Sequence, residues 1–216
     1  MKRLCVSACL LGIPCRWKGD ARPCGAIVES ARRAEVRALD PATRSALERH
    51  LAESAEFASH AESAENAEVE LVPFCPELAA GLGCPRPPIE LVQGEASEPS
   101  TVSTASTVST ASTASTLQPC GSAPPIRVLR VDRTGDATDA LRAACEAEAE
   151  ALGRAGGVDG FVLKSRSPSC GLSSPLHDAA GREIGTAPGL WAALARERFP
   201  GIPRWTETTF PESFRG

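Results

Sequence analysis

The sequence predicts an α/β fold: three layers, Rossmann-like, with a mainly parallel sheet, in a single domain that carries a disordered insertion. Three observations predict it. Short apolar runs suited to buried strands alternate along the chain with longer segments of helical character. The length of 216 residues suits one domain with a sizeable core, alone or with insertions. Hydrophobic residues make up 42% and charged ones 23%, the balance of a globular chain.

The first strand is Leu4-Cys5-Val6-Ser7, running into a loop with Gly12, Pro14, Gly19 and Pro23. Ile27 to Leu39 has helical character, with Arg and Glu outward. Asp40-Pro41 then restarts a helix through a capping residue and a Pro at its first turn. Val69 to Phe74 reads as the second strand, ending at Cys75-Pro76, and Ile126 to Val131 as the third. From Asp136 to Gly153 a helix is expected, with Leu141, Ala144, Cys145 and Leu152 on or near one face. Gly160 to Leu163 is the fourth strand, followed by a Ser-rich loop from Ser165 to Ser174. Pro188 to Phe199 is a last helix, stopped by Pro200-Gly201. Strands separated by helices imply parallel strands covered on both faces.

Two segments depart from this pattern. Every residue from Ser100 to Thr116 is Ser, Thr, Ala or Val in a near-triplet repeat, so Gly94 to Pro125 (residues 94–125) is expected to be a disordered insertion. Arg49 to Glu68 (residues 49–68) is rich in Ala, Glu and Ser and predicts an exposed helical extension. His50 and His60 fall within it and are read as solvated surface.

Composition excludes several function classes. Aromatics are 4%, with no tyrosine, which leaves few platforms for stacking bases. The net charge is −4, so no basic excess exists to neutralise phosphates, and no nucleic-acid partner is expected. No run approaches the roughly 18 apolar residues of a membrane span. The start Met1-Lys2-Arg3 is basic, but Cys5, Ser7 and Cys9 interrupt the apolar stretch and no small-residue cleavage site follows. The expected location is therefore cytoplasmic, with nine cysteines that are reduced or hold a metal. Oligomeric state is not legible in the sequence.

Three loops concentrate the chemistry, each after the carboxyl end of a predicted strand, where open α/β sheets gather ligands. In the first, Cys9 and Cys15 bracket Gly12 and Pro14, with Arg16 following; no CxxC pair is present. In the second, Cys75-Pro76-Glu77 places a thiol and a carboxylate two residues apart in a chain stiffened by proline. The same stretch is also a helix start, with Pro at its first position and Glu77 near the positive end of the dipole. The third, Lys164 to Gly171, packs two cations, three hydroxyls and Cys170 directly after a strand, donors enough to bind an anion or a polar ring. Cys5 and Cys145 are expected as buried small apolar residues and Cys84 as a bystander. Cys15 and Cys24 receive no role, and Cys120 falls in the Ser/Thr insertion. Thiols dispersed over three loops suit an iron–sulfur cluster better than structural zinc, which usually has a local CxxC pair. A cysteine nucleophile pairing Cys170 with His177, without metal, is the other reading these residues permit.

Taken together, VSACLLGIPCRW at 6–17, VPFCPELAAGLGCPRPP at 72–88 and FVLKSRSPSCG at 161–171 resemble the thiouracil desulfurase family of bacterial iron–sulfur proteins. The resemblance implies a [4Fe-4S] cluster bound by Cys9, Cys75 and Cys170, whose fourth iron takes the sulfur of a thiolated pyrimidine such as 2-thiouracil. It implies Glu77 and Ser167 as catalytic acid and serine, with sulfide released and the oxo base formed without net redox change. The partner implied is a small thiolated nucleobase. Trp17-Lys18-Gly19-Asp20 stands where the family often has Tyr followed by Asp-Gly, which bears on specificity if that loop touches substrate. The competing classes are a non-catalytic cluster or zinc protein handling redox or sulfur, and the metal-free cysteine enzyme.

Overall fold

A computed structural model describes residues 1–53, 68–94 and 125–211. Most of the two expected insertions, including His60 and Cys120, lies outside the described residues. What is described of them is helical from Arg49 to Glu53, with Glu68, Gly94 and Pro125 at the margins.

Five parallel strands form the main sheet, in the order β2-β3-β1-β6-β9: β1 (Lys2–Ser7), β2 (Glu35–Val36), β3 (Val69–Phe74), β6 (Gly160–Leu163) and β9 (Arg204–Thr206). Alternation along the strands divides the core. Leu4, Val6, Leu71 and Val162 face one layer, with Ile27 and Ala31 of α1 (Gly25–Ala31) and Ala46 and Leu47 of α2 (Pro41–Glu53). Cys5, Val72, Phe74, Phe161 and Leu163 face the other, with α4 (Thr138–Arg154) and α5 (Leu190–Arg198). Both faces are covered, which is why these strands read as continuous apolar runs.

A second sheet, absent from the sequence reading, has the order β5-β4-β7-β8: β4 (Ile89–Gln93), β5 (Ile126–Arg130), β7 (Ser174–His177) and β8 (Glu183–Ala187). The segment read as a third strand is its β5, antiparallel to β4. Likewise, the helix expected over Ile27 to Leu39 ends at Ala31, and the chain turns into the two-residue β2. No helix among the described residues is long and apolar enough to cross a membrane.

Glu148 of α4 is 2% exposed, and its Oε1 has no hydrogen-bond partner among the described residues. Burial, and then the charge of Asp40, push its carboxyl up to about 8 from 4.5. The folded state therefore holds a proton that the unfolded chain releases. Its stabilising effect is full below the unfolded value and is lost as pH rises toward about 8, by ~1.4 kcal/mol per pH unit. Glu148→Gln is expected to raise the melting temperature at pH 8 and leave it nearly unchanged at pH 5. Thermal melts at the two pH values check this.

Candidate active site

Register brings three loops to one edge. Ser7 pairs with Phe74, and Val6 with Val162, so β1, β3 and β6 end together as neighbours in the sheet. The chain leaves β1 in a 3-10 turn, Ala8–Leu11, carrying Cys9. From β3 it passes through Cys75 into the short helix α3 (Pro76–Ala79). Beyond β6 lies the loop that ends at Cys170-Gly171. Strand order reverses at β1, since β3 lies on one side and β6 on the other, the place where open sheets leave a crevice.

That crevice is a cavity of about 740 Å³, lined by Cys9, Cys75, Cys170, Glu77 and Ser167 together. Every residue that the family resemblance implied for the site thus reaches one space. The three thiols are buried, with 6–8% of each residue exposed. Ser7 Oγ accepts the Lys164 backbone N–H at 2.9 Å and donates to Cys170 Sγ at 3.2 Å. Burial, with the charge of Cys9 next, pushes the Cys170 thiol up to about 12. Cys75 donates its N–H to Thr43 Oγ1 at 3.2 Å, and its thiol is held below the usual range chiefly by a hydrogen bond from Cys15.

The third loop is locked by close backbone contacts. Gly171 N–H donates to Ser167 O, Gly189 N–H to Gly171 O and Trp191 N–H to Ser169 O, each at 2.8 Å. A Cβ on Gly171 would lie 2.6 Å from Ser174 Oγ, and one on Gly189 would lie 2.8 Å from Ser167 O. Both glycines are required by that approach, which seats the loop on the start of α5.

Glu77 has both oxygens engaged. Arg86 Nε donates to Oε2 at 2.6 Å, and Ser169 Oγ to Oε1 at 2.6 Å. Ser169 in turn meets Ser167 Oγ at 3.0 Å, and the Cys170 N–H donates to Ser167 Oγ at 3.3 Å. A continuous hydrogen-bonded path therefore runs from the carboxylate to Ser167. Arg86, with a side chain only 3% exposed, also donates to Gly83 O at 2.6 Å and Cys15 O at 2.8 Å. Burial alone would lower its pKa, but the charge and hydrogen bond of Glu77, together with Cys75 and Cys15, outweigh that and raise it. Sequence reasoning assigned no role to Arg86 or Ser169; the signal available was the Pro-flanked Arg and the SxSC spacing of Ser167, Ser169 and Cys170.

Lys164 pairs with Glu207, which follows β9 at the same edge and also accepts Ser165 Oγ at 2.6 Å. Cys84, expected as a bystander, donates to Pro14 O at 3.5 Å and Arg16 O at 3.4 Å, tying the second loop to the first. His50, read as solvated surface, is half-buried: a Cβ on Gly12 would meet its Nε2 at 3.2 Å. His177 lies in the second sheet, its Nδ1 3.3 Å from Glu90 Oε2, and does not line the cavity. Among the described residues no hydrogen bond joins Cys170 to His177; the Cys170 thiol is bonded by Ser7 instead. Trp17, 39% exposed, lines the cavity beneath Lys18, whose Nζ is 4.8 Å from its ring centre.

No curated protein matches the chain at a significant level. Among solved structures, a protein described as the [4Fe-4S]-dependent thiouracil desulfidase TudS is similar in fold, with a TM-score of 0.54 at 23% identity, over 98% of this chain and 95% of that one. The match to the 2-thiouracil desulfurase family spans residues 49–207, including Cys75, Glu77, Ser167 and Cys170 and beginning after Cys9. That span covers most of the chain, and the protein belongs to the 2-thiouracil desulfurase family.

Proposed function

We propose that this protein removes sulfur from a thiolated pyrimidine of the 2-thiouracil kind, with a [4Fe-4S] cluster held by Cys9, Cys75 and Cys170. Water enters, the oxo base and hydrogen sulfide leave, and no electrons are gained or lost overall. The observation that carries this reading is the meeting of three thiols, from three adjacent strand ends, with the Glu77–Ser169–Ser167 path in one cavity. Family membership and the description of the similar structure support it.

The residues fit the cofactor by donor chemistry. The ligand set is all sulfur and soft, as iron–sulfur clusters require. Among the described residues, no group of three or more His, Cys, Asp or Glu is spaced to hold a single metal ion. All three thiols line the one cavity, where a cluster would be in reach of each. When bound, a cluster with three protein ligands supplies an open iron as a soft Lewis acid for a thiocarbonyl sulfur.

The chain's own groups supply the proton handling. Glu77, held by Arg86 and Ser169, takes a proton from the attacking water and returns one to the ring nitrogen or departing sulfur. Ser167, at the far end of the path, orients the ring or the water through its hydroxyl. Rigid support of both groups keeps the reacting atoms in place.

Anaerobic reconstitution with iron and sulfide is the test, followed by incubation with 2-thiouracil. About four irons and four acid-labile sulfides per chain are expected, with sulfide and uracil formed in equal amounts. A chain that takes up no iron sinks the proposal. Cluster uptake without sulfide release returns the protein to the non-catalytic class.

A further inference from the structure

We propose that Ser7 is a positioning residue of the cluster site, its hydroxyl proton directed at the sulfur of Cys170. The inference rests on the proposed cluster and deepens it, since neither the motifs nor the family resemblance gives Ser7 a role.

Ser7 ends β1 and is 3% exposed. A hydroxyl buried to that degree has to find its partners within the protein. Val6 pairs with Val162 of β6, and the first N–H beyond that strand, on Lys164, donates to Ser7 Oγ at 2.9 Å. The oxygen is thus occupied as an acceptor, and a serine hydroxyl has one proton left to give. Cys170 Sγ receives it, 3.2 Å away. One proton meets one sulfur. Ligation fixes the direction from the other side, because a thiolate bound to iron has no proton and can only accept.

The two residues are 163 positions apart, so the fold makes this contact rather than the loop that carries Cys170. That loop holds the backbone of Cys170 by itself, with Cys170 N–H on Ser167 Oγ at 3.3 Å and Gly171 N–H on Ser167 O at 2.8 Å. The sulfur is held instead from the end of β1, the strand whose following 3-10 turn carries Cys9. Ser7 therefore ties the ligand of the third loop to the start of the first. A serine that only bridged two strand ends would need its bond to Lys164; the second bond, to a ligand sulfur, is what carries the inference.

Hydrogen bonds to an ionised acceptor are stronger than those to a neutral one. Such a bond draws electron density from the ligand sulfur, which stabilises the more negative reduced cluster and raises its potential. The same withdrawal leaves the irons more electrophilic, the useful effect in a reaction without net electron transfer.

The test compares anaerobically reconstituted full-length wild type, Ser7→Ala and Ser7→Thr. Alanine removes the donor, and threonine keeps a hydroxyl on the same carbon. Iron and acid-labile sulfide per chain are measured first, then the reduction potential by EPR-monitored titration. Equal loading is expected, with a more negative potential in Ser7→Ala that Ser7→Thr largely restores. Loss of the cluster from a folded Ser7→Ala, with Ser7→Thr loaded, also supports the proposal. Equal potentials in wild type and Ser7→Ala overturn it, as does a shift or a cluster loss common to both variants, which traces to packing. A crystal structure of loaded wild type checks it without any variant, and Ser7 Oγ beyond hydrogen-bonding distance of Cys170 Sγ overturns it. A wild type that takes up no cluster removes the underlying reading, and this proposal with it.

Discussion

Cys170→Ala is expected to abolish cluster retention while leaving a folded chain. After anaerobic reconstitution and desalting, iron and acid-labile sulfide should fall to the level of an unreconstituted control, and the brown absorbance should be absent. Three thiolates are the whole protein ligand set proposed, so losing one leaves two attachment points for a four-iron body. The fold should tolerate the change. Cys170 is buried, but its backbone N–H keeps its bond to Ser167 Oγ, and the loop remains seated through Gly171 and Gly189. Removing one buried sulfur costs about 1 kcal/mol, the scale of a single buried methyl group. Cys5→Ala and Cys145→Ala provide the contrast. Both cysteines are buried with α4 and α5, do not line the cavity, and have thiols that burial pushes upward. Their alanine variants should lose similar stability and keep full iron content. Wild-type iron in Cys170→Ala would remove it from the ligand set.

The contrast between these cysteines shows which parts of the site were legible in the chain. β1, β3 and β6 were readable because a strand covered on both faces is a continuous apolar run, and each is followed within two residues by Cys or Ser. Their adjacency needed topology: alternation of strand and helix predicts parallel neighbours, but not that β1 sits between β3 and β6. The second sheet was hidden for the opposite reason. β8 is exposed over most of its length and β7 contains Pro175, so neither carries a buried-strand pattern. Arg86 was unreadable as a partner of Glu77 because the two meet through the turn of α3 and the following loop, not through a helical or strand repeat. Cys9 shows the limit of motif matching. The family match begins at residue 49, and it is the parallel register of β1 on β3 that sets Cys9 beside Cys75.

Glu77→Gln is the sharper test of the chemistry. Sulfide release from 2-thiouracil is expected to fall by about 100- to 10,000-fold, the range associated with a positioned acid–base group. Cluster content should stay at the wild-type level, because Cys75 keeps its own hydrogen bond to Thr43. The amide preserves size and still offers an oxygen to Ser169 Oγ or Arg86 Nε, so orientation is largely retained and proton transfer is lost. One complication is built into the site. Neutralising Glu77 leaves the Arg86 guanidinium buried without its counter-charge, at a cost of up to roughly 3 kcal/mol, the lower end for breaking a buried pair. A fall in activity alone could then reflect a loosened loop rather than a missing base. Combining Glu77→Gln with Arg86→Gln separates the two. The double variant has no stranded charge, and its melting temperature should recover toward wild type. If Glu77 acts only as a structural anion for Arg86, sulfide release recovers with stability. If Glu77 moves the proton, stability returns and turnover does not, since no group on the Ser169–Ser167 path can ionise at neutral pH in its place.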